Sequence, residues 1–326
     1  MDNFAKIGIS LALLLSLLWL FRIPDTEHQT LVVSLGVLDN SVNNSNTAAL
    51  SLESHTLRAD ILPPSINDPQ QVFFPRPCAQ RIQFIVSSEQ SFKQAADFQQ
   101  QFLQDSRLNM LPICIIQPLW VEPGQLHCGG DWLGRGRLGC DLQELGYQLE
   151  TLSFTHLVIF ADQGKANVHN GIMYLDSQDS YDVFVHELAH FAGFVDEYPL
   201  SKSLANEVCE GRAAPNLVFK QARQSEADLT LWSSIDDEHG VSVVRARTCD
   251  NHSSQAFKPS ADITFMEFHD QAYIPPVYIA AWLKRLANPQ TQTPAYINFA
   301  QLYEGQNKLI QGRFWRQRYV DYMQGE

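Results

Sequence analysis

The chain has no Cys-x-x-Cys pair, no cluster of basic residues, no internal repeat, and no Ala-x-Ala cleavage signal behind its N-terminal apolar stretch. Without Cys-x-x-Cys, a dithiol redox motif or a cysteine-rich zinc ribbon is excluded. The scarcity of positive charge, 23 Lys and Arg against 36 Asp and Glu for a net charge of −13, argues against nucleic acid or an anionic membrane surface as a partner. Lack of a repeat removes solenoid architectures. What remains is a folding-competent chain. With 326 residues, 45% of them hydrophobic, it can bury one large core or two subdomains sharing a cleft. Its six cysteines are even in number, so three disulfides and an oxidising compartment are the simplest account. Fifteen pairings are open. Those favoured are Cys128 with Cys140 closing a Gly-rich loop, Cys209 with Cys249, and Cys78 with Cys114.

Lys6 precedes an apolar run over residues 7–21. As a helix this run spans about 22 Å, short of a typical hydrocarbon core. Residues 1–22 therefore read as a signal peptide, implying export to a periplasmic or extracellular space. Arg22 and the missing cleavage signal keep an uncleaved signal anchor open, holding the protein to a membrane through residues 7–21 with Trp19 at the interface. Residues 23–76 are rich in Asn, Ser and Pro and read as a spacer or small prosegment, with a strand expected at 30–38.

The most informative stretch is His186-Glu187-Leu188-Ala189-His190-Phe191-Ala192-Gly193-Phe194-Val195-Asp196. Histidines four apart on a helix share one face and can reach one zinc ion. Glu187, between them, is placed to take a proton from an attacking water. Helix signals surround the pattern. Asp179 and Ser180 offer an N-cap, and Val183, Phe184, Leu188 and Phe191 recur at helical spacing. Gly193 can adopt a left-handed conformation and turn the chain back, which brings Asp196 to the position of a third ligand.

These residues resemble the extended zinc motif of the metzincin metallopeptidases, in the variant that ends in aspartate. The resemblance implies an α+β, zincin-like fold: a twisted mixed sheet with two main helices over a cleft, then a smaller C-terminal subdomain. It also implies a methionine turn beneath the metal, for which Met266 in the stretch 260–266 is the candidate, core filler being the alternative. The ending Asp196-Glu197-Tyr198 is similar to that of bacterial metallopeptidases related to immunoglobulin-A-cleaving enzymes, which leaves Glu197 as a second candidate ligand. Pro75-Arg76-Pro77-Cys78 resembles the latency segment of some metzincins, so a Cys78 thiolate on the metal competes with the disulfide. Many metzincins carry a tyrosine two residues past the methionine to stabilise the oxyanion. Here that residue is Phe268, with Tyr198 and Tyr273 as substitutes.

Along the chain, strands are expected at 81–87, 113–121, 155–161 and 171–176, and helices at 91–105 and 275–287. Phe314, Trp315, Tyr319 and Tyr322 mark a C-terminal amphipathic helix. Residues 164–170 sit where the resemblance places an edge strand that receives substrate, a surface loop being the alternative. His127, His156, His169 and His269 lack ligand spacing and read as ordinary polar residues. The expected domain is thus a zinc metallopeptidase over residues 77–326, divided into an upper subdomain over 77–193 and a lower one over 194–326. Its expected substrate is a peptide or protein; the alternative function is a non-catalytic, zinc-stabilised binding or assembly module.

Overall fold

The computed structural model describes residues 77–325 apart from 135, 162, 212, 221–231 and 233–240. The expected signal segment or anchor, the spacer and the strand at 30–38 lie outside the described residues.

The first strand, β1 (Gln80–Val86), is buried on both faces. Ile82, Phe84 and Val86 point one way and Ile85 the other, as the twofold strand period requires. Such a strand belongs inside a parallel sheet. It pairs in parallel with β2 (Ile113–Trp120) and β5 (His156–Phe160), and β5 pairs in parallel with β7 (Ile172–Leu175). The short β6 (Asn167–His169) runs antiparallel along β7 and closes the order β2-β1-β5-β7-β6. The fold is therefore α+β with a mixed sheet, and an edge strand lies within 164–170.

One face of the sheet is covered by two helices. In α1 (Glu89–Gln104), Ser88 caps the start by accepting from the Ser91 amide at 3.1 Å, and Ala95, Phe98 and Phe102 turn inward. In α3 (Tyr181–Phe191), Ser180 is the cap, accepting from the Val183 amide at 3.3 Å. Asp179, the other expected cap, is used one turn earlier, accepting from the Asp176 amide. Phe184 of α3 packs edge-on against Phe84 of the sheet, with Phe98 of α1 beside both. This aromatic cluster fixes α3 against the strands.

The opposite face of the sheet is covered by α2 (Gln143–Gln148), α6 (Tyr296–Gly305) and α7 (Leu309–Gln324), which share a core with Leu157, Ile159 and Ile172. The last two helices of the chain thus pack on this sheet. Trp315 of α7 is wholly buried, whereas Phe314 is 38% exposed, so the C-terminal amphipathic helix docks through the tryptophan. Between these layers of sequence comes α4 (Lys202–Val208) and a three-stranded antiparallel sheet, β8 (Val218–Lys220), β10 (Gln255–Lys258) and β9 (Val244–Ala246). They surround a small apolar cluster of their own. Then α5 (Pro276–Leu286) starts on a proline and buries Tyr278, Ala281 and Trp282.

All three favoured disulfides are present, Cys78–Cys114, Cys128–Cys140 and Cys209–Cys249, which fits an oxidising compartment. Cys78 is therefore bonded to β2 and is not a latency thiolate on the metal. Among the described residues no helix is long and apolar enough to cross a membrane.

His156 also departs from its expected role as an ordinary polar residue. It is fully buried at the start of β5, its ring centroid 4.6 Å from that of Phe191. Burial pushes its pKa down to about 3, only partly opposed by a hydrogen bond to the Thr293 backbone. The unfolded chain, with an ordinary histidine near pKa 6.5, therefore binds the proton first. The contribution to stability is complete above about pH 6.5 and is lost as pH falls toward 3. Denaturant midpoints measured from pH 7 to 4 should fall more steeply for the wild type than for His156→Phe; parallel slopes would refute the assignment.

Candidate metal centre

The metal-centre geometry starts from the end of α3. Gly193 has φ +83°, and the Gly193 and Phe194 amides donate back to the His190 and Ala189 carbonyls. This double bond with a left-handed residue between is a Schellman ending. That left-handed conformation favours glycine, and a Cβ here would also displace the Arg285 guanidinium, 2.6 Å away. The turn sends residues 194–198 back along the helix. Here two contacts matter.

The first orients the histidines. His190 Nδ1 lies 2.8 Å from the Phe194 carbonyl and His186 Nδ1 lies 2.7 Å from the Phe265 carbonyl. A carbonyl only accepts, so each Nδ1 carries the proton and each Nε2 presents a lone pair. The second contact brings in the carboxylate. Asp196 Oδ1 is 3.0 Å from His186 Nε2 and 3.2 Å from His190 Nε2. That oxygen is buried.

Three such acceptors at short range call for a bound proton or a cation between them. The spacing fits: ligands about 2.0–2.1 Å from a tetrahedral zinc are roughly 3.3 Å apart. Two imidazoles and a carboxylate also suit zinc chemically. Protons feel the same field. Burial pulls His190 down, but the Asp196 and Glu187 carboxylates more than reverse this and push it up to about 9. Burial likewise opposes the charge on Asp196, yet His190 and His186 hold its carboxyl well below the usual range.

Glu187 stands apart from this trio. Its Oε2 is 3.9 Å from His190 Nε2, farther than Asp196, although His186, Glu187 and His190 all offer atoms within 4.8 Å of one another. Asp196 therefore lies closer to the imidazole Nε2 atoms than Glu187 does. Burial raises the Glu187 pKa, with His190 and His186 opposing. It is suited to exchange a proton.

Glu197, the second candidate ligand, points elsewhere. Its wholly buried carboxylate accepts from Asn216 at 2.9 Å, from Thr264 at 2.6 Å and from the Tyr278 hydroxyl, with Lys258 Nζ 3.4 Å away. Its amide donates to the Met266 carbonyl at 2.8 Å. Glu197 therefore ties the loop carrying Asp196 to the turn carrying Met266, which is fully buried. Asn216 completes the clamp through Val195, whose amide and carbonyl both bond its side chain. Sequence reasoning missed Asn216 and Lys258, since a single asparagine in a loop and a single lysine on a short strand carry no periodic signal. The aspartate-glutamate pair itself was visible. Which of its two side chains faced the histidines was not.

An open cleft of about 680 Å³ runs past the centre, lined by the edge strand β6, by Glu187, His190 and Asp196, and by Tyr198. Tyr198 stacks over His186 at 6.5 Å between ring centroids. Burial and the Asp196 carboxylate hold its hydroxyl protonated. Phe268 and Tyr273, in contrast, are 52% and 41% exposed and do not line the cleft.

Comparison with protein-family models and with curated proteins finds no match to this chain.

Proposed function

We propose that the chain is an exported zinc metalloendopeptidase of metzincin type, with His186, His190 and Asp196 as metal ligands and Glu187 as general base. The observation that carries this reading is the meeting of two oriented imidazoles and a buried carboxylate oxygen beside Glu187 on an open cleft. The order of elements supports the same reading: a mixed sheet, two helices over one face, an antiparallel edge strand and a methionine turn bonded to the first histidine. Export rests on the N-terminal apolar run and the three disulfides.

Zinc, when bound, supplies a Lewis acid that acidifies a water and polarises a peptide carbonyl. The rest is done by the chain. The edge strand β6 borders the cleft, and an extended peptide can add along it as a further strand. Glu187, kept partly desolvated, removes the proton from the attacking water and later delivers it to the leaving amine. Tyr198, with its hydroxyl protonated beside Asp196, is the hydrogen-bond donor for the developing oxyanion.

The second reading, a non-catalytic zinc-stabilised module, draws on the absence of a tyrosine at Phe268. Glu187→Gln separates the two. It should leave zinc content and thermal stability unchanged while lowering peptide hydrolysis by at least about a hundredfold, the usual worth of a positioned base. Zinc-loaded wild type that cleaves no member of a peptide library would favour the module.

The two acidic neighbours should part company on substitution. Asp196→Ala removes a ligand and should leave well under one zinc per chain by metal analysis, with a largely intact fold. Glu197→Ala strips a buried carboxylate from Asn216, Thr264, Tyr278 and Lys258, and should cost about 3 kcal/mol of stability before any loss of zinc affinity. Equal zinc loss in both variants, at equal stability, would remove the distinction.

A further inference from the structure

The chain is short of positive charge, yet two cations without partners stand on the wall of the cleft. Arg137 and Lys165 both line it, and neither side chain makes an ion pair or hydrogen bond among the described residues. Each is held by a built backbone. Arg137 closes the loop of the Cys128–Cys140 disulfide, where its carbonyl accepts from the Trp132 amide at 2.9 Å. The Trp132 indole lies so close over Gly139 that a Cβ there would meet it at 2.7 Å. Lys165 follows Gly164, whose backbone packs on Gly130 and Leu138 of the same loop. The two segments are joined by Asn167 of β6, whose side-chain amide donates to the Leu138 carbonyl at 2.9 Å and to the Lys165 carbonyl at 3.1 Å. Asn167 and the Gly164 contacts thus join the two segments that carry the cations.

Their charges reach the chemistry on both sides. Lys165 acts on Glu187, and Arg137 acts on Tyr198. A divalent ion would cancel the charges of Asp196 and Glu187, leaving these two cations uncompensated near the reaction centre. A third, Arg285, already donates to the Ala192 and Thr291 carbonyls, and the remaining acid of the cleft, Glu207, sits on α4. The net charge of −13 does not undo the local field. Charges more than about 8 Å away are screened at physiological ionic strength, so a bound peptide senses the cleft wall more than the distant surface.

From this pairing we propose that the cleft selects peptides with acidic side chains flanking the bond over the metal, and that Arg137 and Lys165 determine the selection. The proposal rests on the peptidase reading for the position of the peptide, but its test separates the two. Fluorescent decapeptides of Ala, Leu and Gly carrying three Glu, three Gln or three Lys are titrated by anisotropy into zinc-loaded full-length Glu187→Gln protein. At low salt the Glu peptide should bind about tenfold tighter than the Lys peptide, and the difference should collapse in 0.5 M salt, where screening shortens to a few ångströms. Arg137→Glu with Lys165→Glu should invert the order, and Arg137→Gln alone should remove part of it. Both positions are exposed, and unchanged thermal midpoints verify the fold.

Equal or reversed affinities in the parent protein, no binding of any peptide, or an order indifferent to the double reversal would overturn the selection. Wild-type cleavage of the same peptides is followed in parallel. Cleavage without charge preference removes the selection and keeps the peptidase. Charge-selective binding with no cleavage of any peptide keeps the cleft assignment and removes the peptidase.

Discussion

Three lone pairs directed into one small volume form the constraint around which the site is organised. His186 Nε2, His190 Nε2 and Asp196 Oδ1 are all acceptors, held 3.0 and 3.2 Å apart across the carboxylate. Without a cation between them they take up a proton instead, which is why the His190 pKa is pushed up to about 9. Neighbouring elements supply the restraint: the Phe265 and Phe194 carbonyls fix the rings, and the Schellman turn at Gly193 fixes the path to Asp196. Behind them, the aromatic packing of Phe184 against Phe84 and Phe98 keeps the helix from shifting. Buried acceptors without a donor are costly, so a fold retains them where a cation repays that cost.

The acid beside Asp196 in the sequence holds the surrounding loops in place. Glu197 adjoins Asp196 in sequence, but consecutive side chains in an extended loop diverge, and it enters a pocket of donors on the far side. There it joins three separate pieces of chain: the loop after α3, the turn at Thr264 to Met266, and α5 through Tyr278. One carboxylate thereby sets the height of the methionine turn relative to the Asp196 loop. Buried ions gain little net stability when well paired but are severe to orphan, so the network specifies geometry more than it adds strength.

Much of this was legible in the sequence where a feature repeats. The strands β1, β5 and β7 read as short apolar runs, and α1, α3 and α5 as apolar residues at helical spacing, because burial on one or two faces leaves a period. The histidine pair and Gly193 were legible because chemistry and backbone conformation restrict both the residue types and the spacing. Features held by single contacts were not. β8, β9 and β10 are three or four residues each, too short for a period to show. His156 lies in an apolar strand but carries no mark of complete burial. The cleft cations were hidden for a related reason: Arg137 and Lys165 are 28 residues apart, and it is packing of the two loops with the Asn167 amide bonds that brings their segments together.

The covering of the sheet by α6 and α7 has a consequence for how the chain is made. β1 lies centrally, yet the residues that bury the sheet's second face, among them Tyr296, Phe299 and Trp315, come from the last part of the chain, more than two hundred residues later. Contacts so distant along the chain carry a large loop-closure cost and slow folding. During synthesis, therefore, a half-made sheet keeps one oily side open until the C-terminus emerges. A newborn chain in that condition is a natural client for factors that hold polypeptides unfolded.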